Sequence, residues 1–260
     1  MKRFFLDLKK YWAYMIYTAK AQLKAELANS WLGGLWWVLE PTLFMFVYMF
    51  VFTVVFQRTT QYVVAFIVVG LTCWRFFHSC IMGSIGIVKR YRAVIAKVYI
   101  PKFVLVGTMM TVSAFKMLCS YIPLVVLMFY YKIPLSLNML SIIPITLLLF
   151  TLTFGLCCLL LHVGVYVEDM NKAMGVILQM MLYISGVFFP LHELLTPELS
   201  KMLFAFNPVA LILHEARNAL LYNIPCQWGL LGVDFAVAAV ISVLGVALIY
   251  RAESRYIKVV

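Results

Sequence analysis

Six long apolar runs, with the basic residues between them sorted almost entirely to one side, constrain this 260-residue chain more than any other feature. The runs cover residues 36–56, 62–85, 103–130, 139–165, 173–190 and 229–250. At roughly 1.5 Å of rise per residue, each can cross a hydrocarbon core of about 30 Å as a helix. A seventh stretch, 203–222, is apolar too, but Asn207-Pro208 and the cluster His214, Glu215 and Arg217 interrupt it. Its uninterrupted pieces have the length of re-entrant or interfacial segments. The expected fold is therefore all-α, with six membrane-spanning helices.

The Lys and Arg residues set the orientation. With both termini inside, fifteen of them fall on the cytoplasmic side: Lys2, Arg3, Lys9, Lys10, Lys20, Lys24, Lys89, Arg90, Arg92, Lys97, Lys102, Lys172, Arg251, Arg255 and Lys258. Only Arg58, Lys132, Lys201 and Arg217 fall on the other, while Arg75 and Lys116 lie within spans. That asymmetry predicts N-in, C-in and an even number of crossings in a bacterial inner membrane. The net charge of +11 is then a topology signal and an attraction to anionic headgroups. Because the basic residues flank spans and form no single patch, they do not point to nucleic acid.

At 65% apolar and 12% charged residues, a soluble globule is excluded. The charged and aromatic N-terminus does not read as a cleavable signal peptide. Five of the six cysteines lie inside the expected spans without metal or redox spacing, so buried free thiols are expected.

Two segments outside the spans are patterned. Residues 1–35 place Phe5, Leu8, Trp12, Met15, Ile16, Ala19, Leu23 and Leu27 at helical spacing, with most lysines elsewhere around the helix. This predicts an amphipathic helix on the cytoplasmic interface. Gly33-Gly34 lets the chain turn, and Glu40-Pro41 sits at the mouth of the first span; an anchor and a mechanical element both fit. Residues 88–102 pair apolar positions (Val88, Tyr91, Ile95, Val98, Tyr99) with Lys89, Arg90, Arg92 and Lys97. Pro101 restricts Ile100 to extended backbone and breaks any helix before the third span. A short helix docking a soluble partner and a plain positive loop are the two readings.

A search for catalytic chemistry finds none. There is no GxxxxGK[ST] phosphate loop, no Gly-x-Ser-x-Gly elbow, and His214-Glu215-Ala216-Arg217-Asn218 has Asn where a zinc-protease helix needs its second His. No metal site is expected. Arg75, Lys116, Asp234 and Glu40 would each cost a few kcal/mol facing lipid, so they should face protein, water or one another. Aromatics are dense in and before the first span (Trp31, Trp36, Trp37, Phe44, Phe46, Tyr48, Phe50) and in the fifth (Tyr183, Phe188, Phe189). Interfacial belts and packing account for such residues, and so does stacking on sugar rings.

Four ordered motifs resemble the membrane (permease) subunit of ABC-type polysaccharide exporters, which move capsule, O-antigen or teichoic-acid-like polymers. They are Ser30-Trp31-Leu32-Gly33-Gly34-Leu35-Trp36-Trp37-Val38-Leu39-Glu40-Pro41, Gly70-Leu71-Thr72-Cys73-Trp74-Arg75-Phe76-Phe77 and Ile95-Ala96-Lys97-Val98-Tyr99-Ile100-Pro101-Lys102. The fourth is Phe188-Phe189-Pro190-Leu191-His192 followed by Asn207-Pro208 and Glu215-Ala216-Arg217. The resemblance spans essentially the whole chain.

The resemblance implies a homodimer bound to two copies of a nucleotide-binding subunit that uses ATP and Mg, with no cofactor bound by this chain. It implies partner coupling through 88–100 and through Arg92, Ile95, Lys97, Tyr99, Pro101, Glu168 and Asp169. It also implies a lateral gate at Trp31, Gly33, Gly34, Trp36, Trp37 and Glu40. Phe44, Tyr48, Arg75, Tyr183, Phe188 and Phe189 would line the channel for a lipid-linked polysaccharide, and short re-entrant helices in 190–228 would narrow the exit. The chain would then divide into a 1–35 gate segment and a 36–260 permease domain, and it would be no enzyme. Glu168 stands where many relatives carry Arg, which puts any contact through that arginine in question. An exporter of a drug or small lipid with the same architecture is the alternative. A membrane-embedded glycan-modifying enzyme would need a polar catalytic cluster that is not found.

Overall fold

The computed structural model describes all residues except Met1, Asn29, Phe56, Arg58–Gln61 and Val260. The side chains of Lys2, His192, Glu193, Ser254, Arg255 and Ile257–Val259 also lie outside the description. So Arg58, and the side chains of His192, Lys2, Arg255 and Lys258, cannot enter the account of charge and motif.

The regular structure among the described residues is all helical, without strands. Helix α1 (Lys2–Ala28) leads through a 3-10 turn at Gly33–Leu35 into α2 (Trp36–Met49), which continues as π-turns over Phe50–Val55. Then come α3 (Val63–Ile85), the single-turn helices α4 (Ile87–Arg90) and α5 (Arg92–Ile95), and the long α6 (Lys102–Tyr130). Helix α7 (Ile142–Tyr166) and α8 (Met170–Ile184) precede three short helices, α9 (Leu191–Leu194), α10 (Pro197–Phe206) and α11 (Pro208–Arg217). Helix α12 (Trp228–Val259) closes the chain.

Among the described residues, five segments are long and apolar enough to span a membrane: Gly33–Val55, Val63–Ile85, Lys102–Tyr130, Leu137–Tyr166 and Trp228–Glu253. The expected fifth run, 173–190, is not a continuous helix. Helix α8 ends at Ile184, and the backbone turns at Gly186, whose φ of +67° suits glycine. Its 15 residues extend about 22 Å, short of a full hydrocarbon core.

Helix α3 is the hub. Within its most apolar stretch 78% of residues are buried, against 11% for Gly33–Val55. Helices α7 and α12 form the tightest pair, because glycines let their backbones meet. A Cβ on Gly155 would lie 2.7 Å from the Ser242 nitrogen, and one on Gly245 would lie 2.8 Å from Cys158 Cβ. Ser242 Oγ also donates to the Thr151 carbonyl across this contact, at 2.8 Å. Small residues are how membrane helices reach such separations, since lipid offers no hydrophobic drive between them. All six cysteines are free, and five are buried.

The segment 88–100 is two single turns hinged at Tyr91 (φ −97°, ψ 13°) rather than one helix. Between Pro197 and Arg217 the chain makes two ten-residue helices, each started by a proline at its first position. Asn207 caps the second by accepting from the Ala210 N–H at 3.2 Å, while its Nδ2 donates to Ser185 Oγ at 3.0 Å. Every described residue of α11 except Pro208 and His214 is buried.

Gly155→Leu is expected to overpack the α7–α12 contact at a cost of about 1–3 kcal/mol. Gly232→Ala, whose Cβ meets nothing within 4 Å, serves as control. Thermal unfolding followed by tryptophan emission in detergent should show a lowered Tm for the first alone; equal Tm values would mean that the contact yields.

Candidate functional site

A cavity of about 650 Å³ opens between α2, α3, α6 and α8. Charged and aromatic residues adjoin in its wall. Arg75 Nη2 lies 3.0 Å from Glu40 Oε1, and the guanidinium sits 4.8 Å above the Phe44 ring. Lys116, also in the lining, pairs with Glu26 of α1 at 2.8 Å. Counting helical rise from Val63, Val55 and Tyr130, Arg75, Glu40 and Lys116 each lie about 20 Å from the same end of the bundle. The charges therefore form one level, and the expectation that they meet each other holds for Arg75 and Glu40. Asp234 differs: it is buried in α12, and its Oδ2 lacks a hydrogen-bond partner.

An aromatic wall continues from that level. Phe44 and Tyr48 are stacked at 6.2 Å, and Tyr48 meets Phe188 at 5.2 Å. Phe188 lies 6.3 Å from Tyr183 and 6.2 Å from Phe52. Phe189 packs on Phe52 at 5.9 Å and takes no part in the cavity lining. Trp37 lines the cavity and contacts Phe115 edge-on at 5.2 Å. Trp31 is almost fully exposed, Trp36 is exposed, and Gly33 adopts φ +52°, so the lead-in turns through a glycine conformation.

The basic segments gather at the other end of the bundle. Arg92, Lys97, Val94, Val98 and Tyr99 are exposed, and Ile95 and Ile100 are buried beneath them. Pro101 caps α6 with extended ψ (130°), as its position before that helix predicts. Glu168 reaches Lys89 at 3.6 Å, so the acid that replaces the expected arginine still lies against this segment. Asp169 pairs locally with Lys172 at 3.6 Å.

The three histidines whose side chains are described each contact an aromatic ring, and His78 also lines the cavity. His162 Nδ1 is 2.8 Å from the Tyr256 hydroxyl, His78 lies against Trp74, and His214 stacks on Phe204 at 4.7 Å. Among the described residues, no group of three or more His, Cys, Asp or Glu side chains could hold a metal ion.

Residues 15–221 match the ABC-2 type transporter family. The chain belongs to that family. It is 26% identical to the O-antigen export system permease protein RfbA of Myxococcus xanthus, covering 86% of this chain and 85% of the relative. A Klebsiella pneumoniae protein of the same name is 22% identical over 94% of both chains. The polysialic acid transport protein KpsM of Escherichia coli is 26% identical over 77% of this chain and 78% of the relative.

Sequence reasoning missed two clusters in this ABC-2 chain. The first surrounds Arg217, which the sequence presents as an outer-side charge and as the end of the fourth motif, with no sign of its partners. Its guanidinium is buried and donates to the carbonyls of Phe66 (3.1 Å), Gly186 (2.9 Å) and Val187 (2.7 Å), with the Phe66 ring 3.5 Å away. A Cβ on Gly70 would fall 2.2 Å from its Nη2, so the glycine of the second motif makes room for the arginine of the fourth.

The second cluster centres on Tyr99. Arg3 Nη2 donates to the Tyr99 hydroxyl at 2.9 Å, and that hydroxyl donates to Glu253 Oε2 at 2.8 Å. Tyr11 donates to the Tyr99 carbonyl at 3.2 Å, Tyr250 donates to Asp7 at 2.7 Å, and the buried Lys102 ammonium lies 3.7 Å from Glu253. Partial burial, followed by the hydrogen bond to the Glu253 carboxylate, pushes the Tyr99 phenol up to about 12, so it remains a donor at neutral pH. No local spacing announces partners 96 and 154 residues away.

Tyr99→Phe removes both hydroxyl bonds, worth on the order of 1 kcal/mol in this half-exposed setting. Amide hydrogen exchange over residues 3–11 is expected to speed up about fivefold, the rate equivalent of that energy. Unchanged exchange would show that α1 is held without Tyr99.

Proposed function

We propose that this chain is the transmembrane subunit of an ATP-driven exporter of lipid-linked polysaccharide, working as a homodimer with two nucleotide-binding subunits supplied in trans. The carrying observation is the cavity that sets an Arg75–Glu40 pair beside an aromatic wall of Phe44, Tyr48 and Phe188, with Tyr183 outside the lining and packed on Phe188. Aromatic faces offer apolar contact to the C–H faces of sugar rings, while the charged level and nearby Ser and Gln side chains suit hydroxyls and anionic groups. The relatives named for O-antigen and polysialic acid export support the same cargo class. A small lipid or drug would not need so long an aromatic lining.

Parity supports an even number of crossings, and we take that number as six. Arg3 near the N-terminus and Glu253 near the C-terminus both reach Tyr99, so the two chain ends lie at one end of the bundle. An odd number of crossings cannot return a chain to its starting side. Helix α8 supplies the sixth, running from the Glu168–Lys89 pair to the Phe188–Phe52 stack. The basic end faces the cytoplasm of a bacterial inner membrane under the positive-inside rule. Helices α10 and α11 re-enter from the outer side and narrow the exit, and α1 forms the gate against the inner leaflet.

The dimer forms through α2 and α8. Along Gly33–Val55 only Met45 and Phe52 are buried, and along α8 only Leu178. Both helices border the cavity, so a second copy placed there would enclose it. The exposed Arg92, Val94, Lys97 and Val98 offer a mixed basic and apolar face for the nucleotide-binding subunit, which binds the ATP and Mg.

Purification of the tagged chain from its native membrane is expected to bring down a phosphate-loop subunit at equal copy number. A chain that comes alone, with surface polymer intact after its loss, overturns the exporter reading. The combined substitution Tyr48→Ala, Tyr183→Ala and Phe188→Ala is expected to slow polymer export about tenfold, or roughly 1.4 kcal/mol of barrier. ATP turnover should change far less; equal losses in both would assign these rings to packing alone.

A further inference from the structure

A second cavity, of about 520 Å³, lies on the far side of α6 from the aromatic one, between α1 and the spans α6, α7 and α12. Leu8, Trp12 and Ile16 form its α1 wall, and Met110, Phe150 and Val246 represent the three spans. Its size falls within the roughly 300–1,000 Å³ of pockets that bury small ligands. Three polar residues border it, and all three hydroxyls are already spent on main-chain carbonyls. Thr111 donates to Gly107 at 2.8 Å, Thr151 to Leu147 at 2.8 Å, and Ser242 to Thr151 at 2.8 Å. With the three hydroxyl protons spent and the Trp12 indole at the headgroup level, the rest of the wall is apolar and its chemistry calls for hydrocarbon.

The rim is charged, and it is positive. At 3.6 residues per turn, Lys9 and Lys20 fall within about 40° of Ile16 around α1, at the edge of the groove. Among the described residues neither lysine has a carboxylate within salt-bridge range. The two acids of α1 are engaged elsewhere, Asp7 with Tyr250 and Glu26 with Lys116. Trp12, more than half exposed, belongs at headgroup depth.

We propose that this groove binds an acyl chain of an anionic phospholipid, with the headgroup at Lys9 and Lys20, and that the bound lipid seats α1 on the bundle. The site is separate from the aromatic cavity and does not depend on what that cavity carries.

The test uses the full chain in nanodiscs and phospholipids with brominated acyl chains, which quench tryptophans in contact. The Trp12 signal is the difference between the wild-type chain and Trp12→Phe. Brominated phosphatidylglycerol should quench it more strongly than brominated phosphatidylcholine at equal mole fraction. Lys9→Gln and Lys20→Gln should each cut that preference about fivefold, the usual effect of one basic residue near an anionic surface. Thr111→Phe should fill the groove and abolish the excess quenching, and Val243→Phe blocks it from the opposite wall should the first variant fail to fold. Equal quenching by the two lipids, or persistence of the excess in a folded blocking variant, overturns the proposal. Displacement of the brominated lipid by an equal mole fraction of a polyprenyl phosphate also overturns it, by giving the groove to a carrier lipid.

Discussion

A charged group inside a low-dielectric bundle must be answered by another polar group, and this requirement organises the molecule. An isolated ion at membrane depth costs several kcal/mol, too much for a marginally stable chain to carry unanswered. The structure meets the demand differently at four cations, while Asp234 keeps an unpartnered Oδ2. Arg75 and Glu40 answer each other across the cavity, Lys116 is answered by Glu26 from α1, and Lys102 by Glu253 from α12. Arg217 is answered by three carbonyls and a ring face. Each answer joins elements far apart in sequence, so the cost of desolvation becomes a set of tertiary constraints.

Arg217 shows how specific such a constraint is. Carbonyls near a helix kink or terminus are free to accept, and the turn after α8 offers two of them because α8 stops at Ile184 and the backbone turns at Gly186. The third comes from Phe66, inside α3. Gly70 must then lack a side chain, or its Cβ would displace the guanidinium. Shortening of α8, the glycine in α3 and the arginine of α11 are thus parts of one arrangement. Removing the arginine would strand carbonyls and empty a buried volume at the same time.

The sequence made the long helices legible because apolar length is a one-dimensional signal. It also made the breaks at Pro101, Asn207-Pro208 and Gly33-Gly34 legible, because proline and glycine act on their own backbone. The pairing of Arg75 with Glu40 was accessible as a need, since both sit in apolar runs. The end of α8 at Ile184 was not, because residues 173–190 stay apolar past the turn and hydropathy cannot see a φ of +67° at Gly186. The hinge at Tyr91 was hidden for a related reason: apolar spacing across 88–99 looks helical whether or not the hydrogen-bond ladder is continuous. Tyr99 was noticed for its place in a motif, but Arg3 and Glu253 were invisible as its partners. Long-range polar contacts leave no period in the sequence.

The distribution of burial indicates which parts can move against which. Helix α3 is enclosed on most sides, and α7 and α12 are locked by glycine contacts, so together they form a stiff frame. Helix α1 meets the bundle through polar groups at its ends, the Phe4 ring, and the buried Met15 and Ala19 beside the groove, and α2 touches it along few buried residues. The segment 91–99 is bound to α1 at two places, through Gln22 to Tyr91 and through Tyr11 and Arg3 to Tyr99. A push on the exposed face of that segment would therefore move α1 before it moved α3. Helix α1 connects to α2 through Gly33, whose left-handed φ makes the joint a point of bending. The displacement would arrive at Glu40, facing an Arg75 that the frame holds still. Under the proposed function, that pair is where motion of the nucleotide-binding subunit becomes a change in the cavity's width.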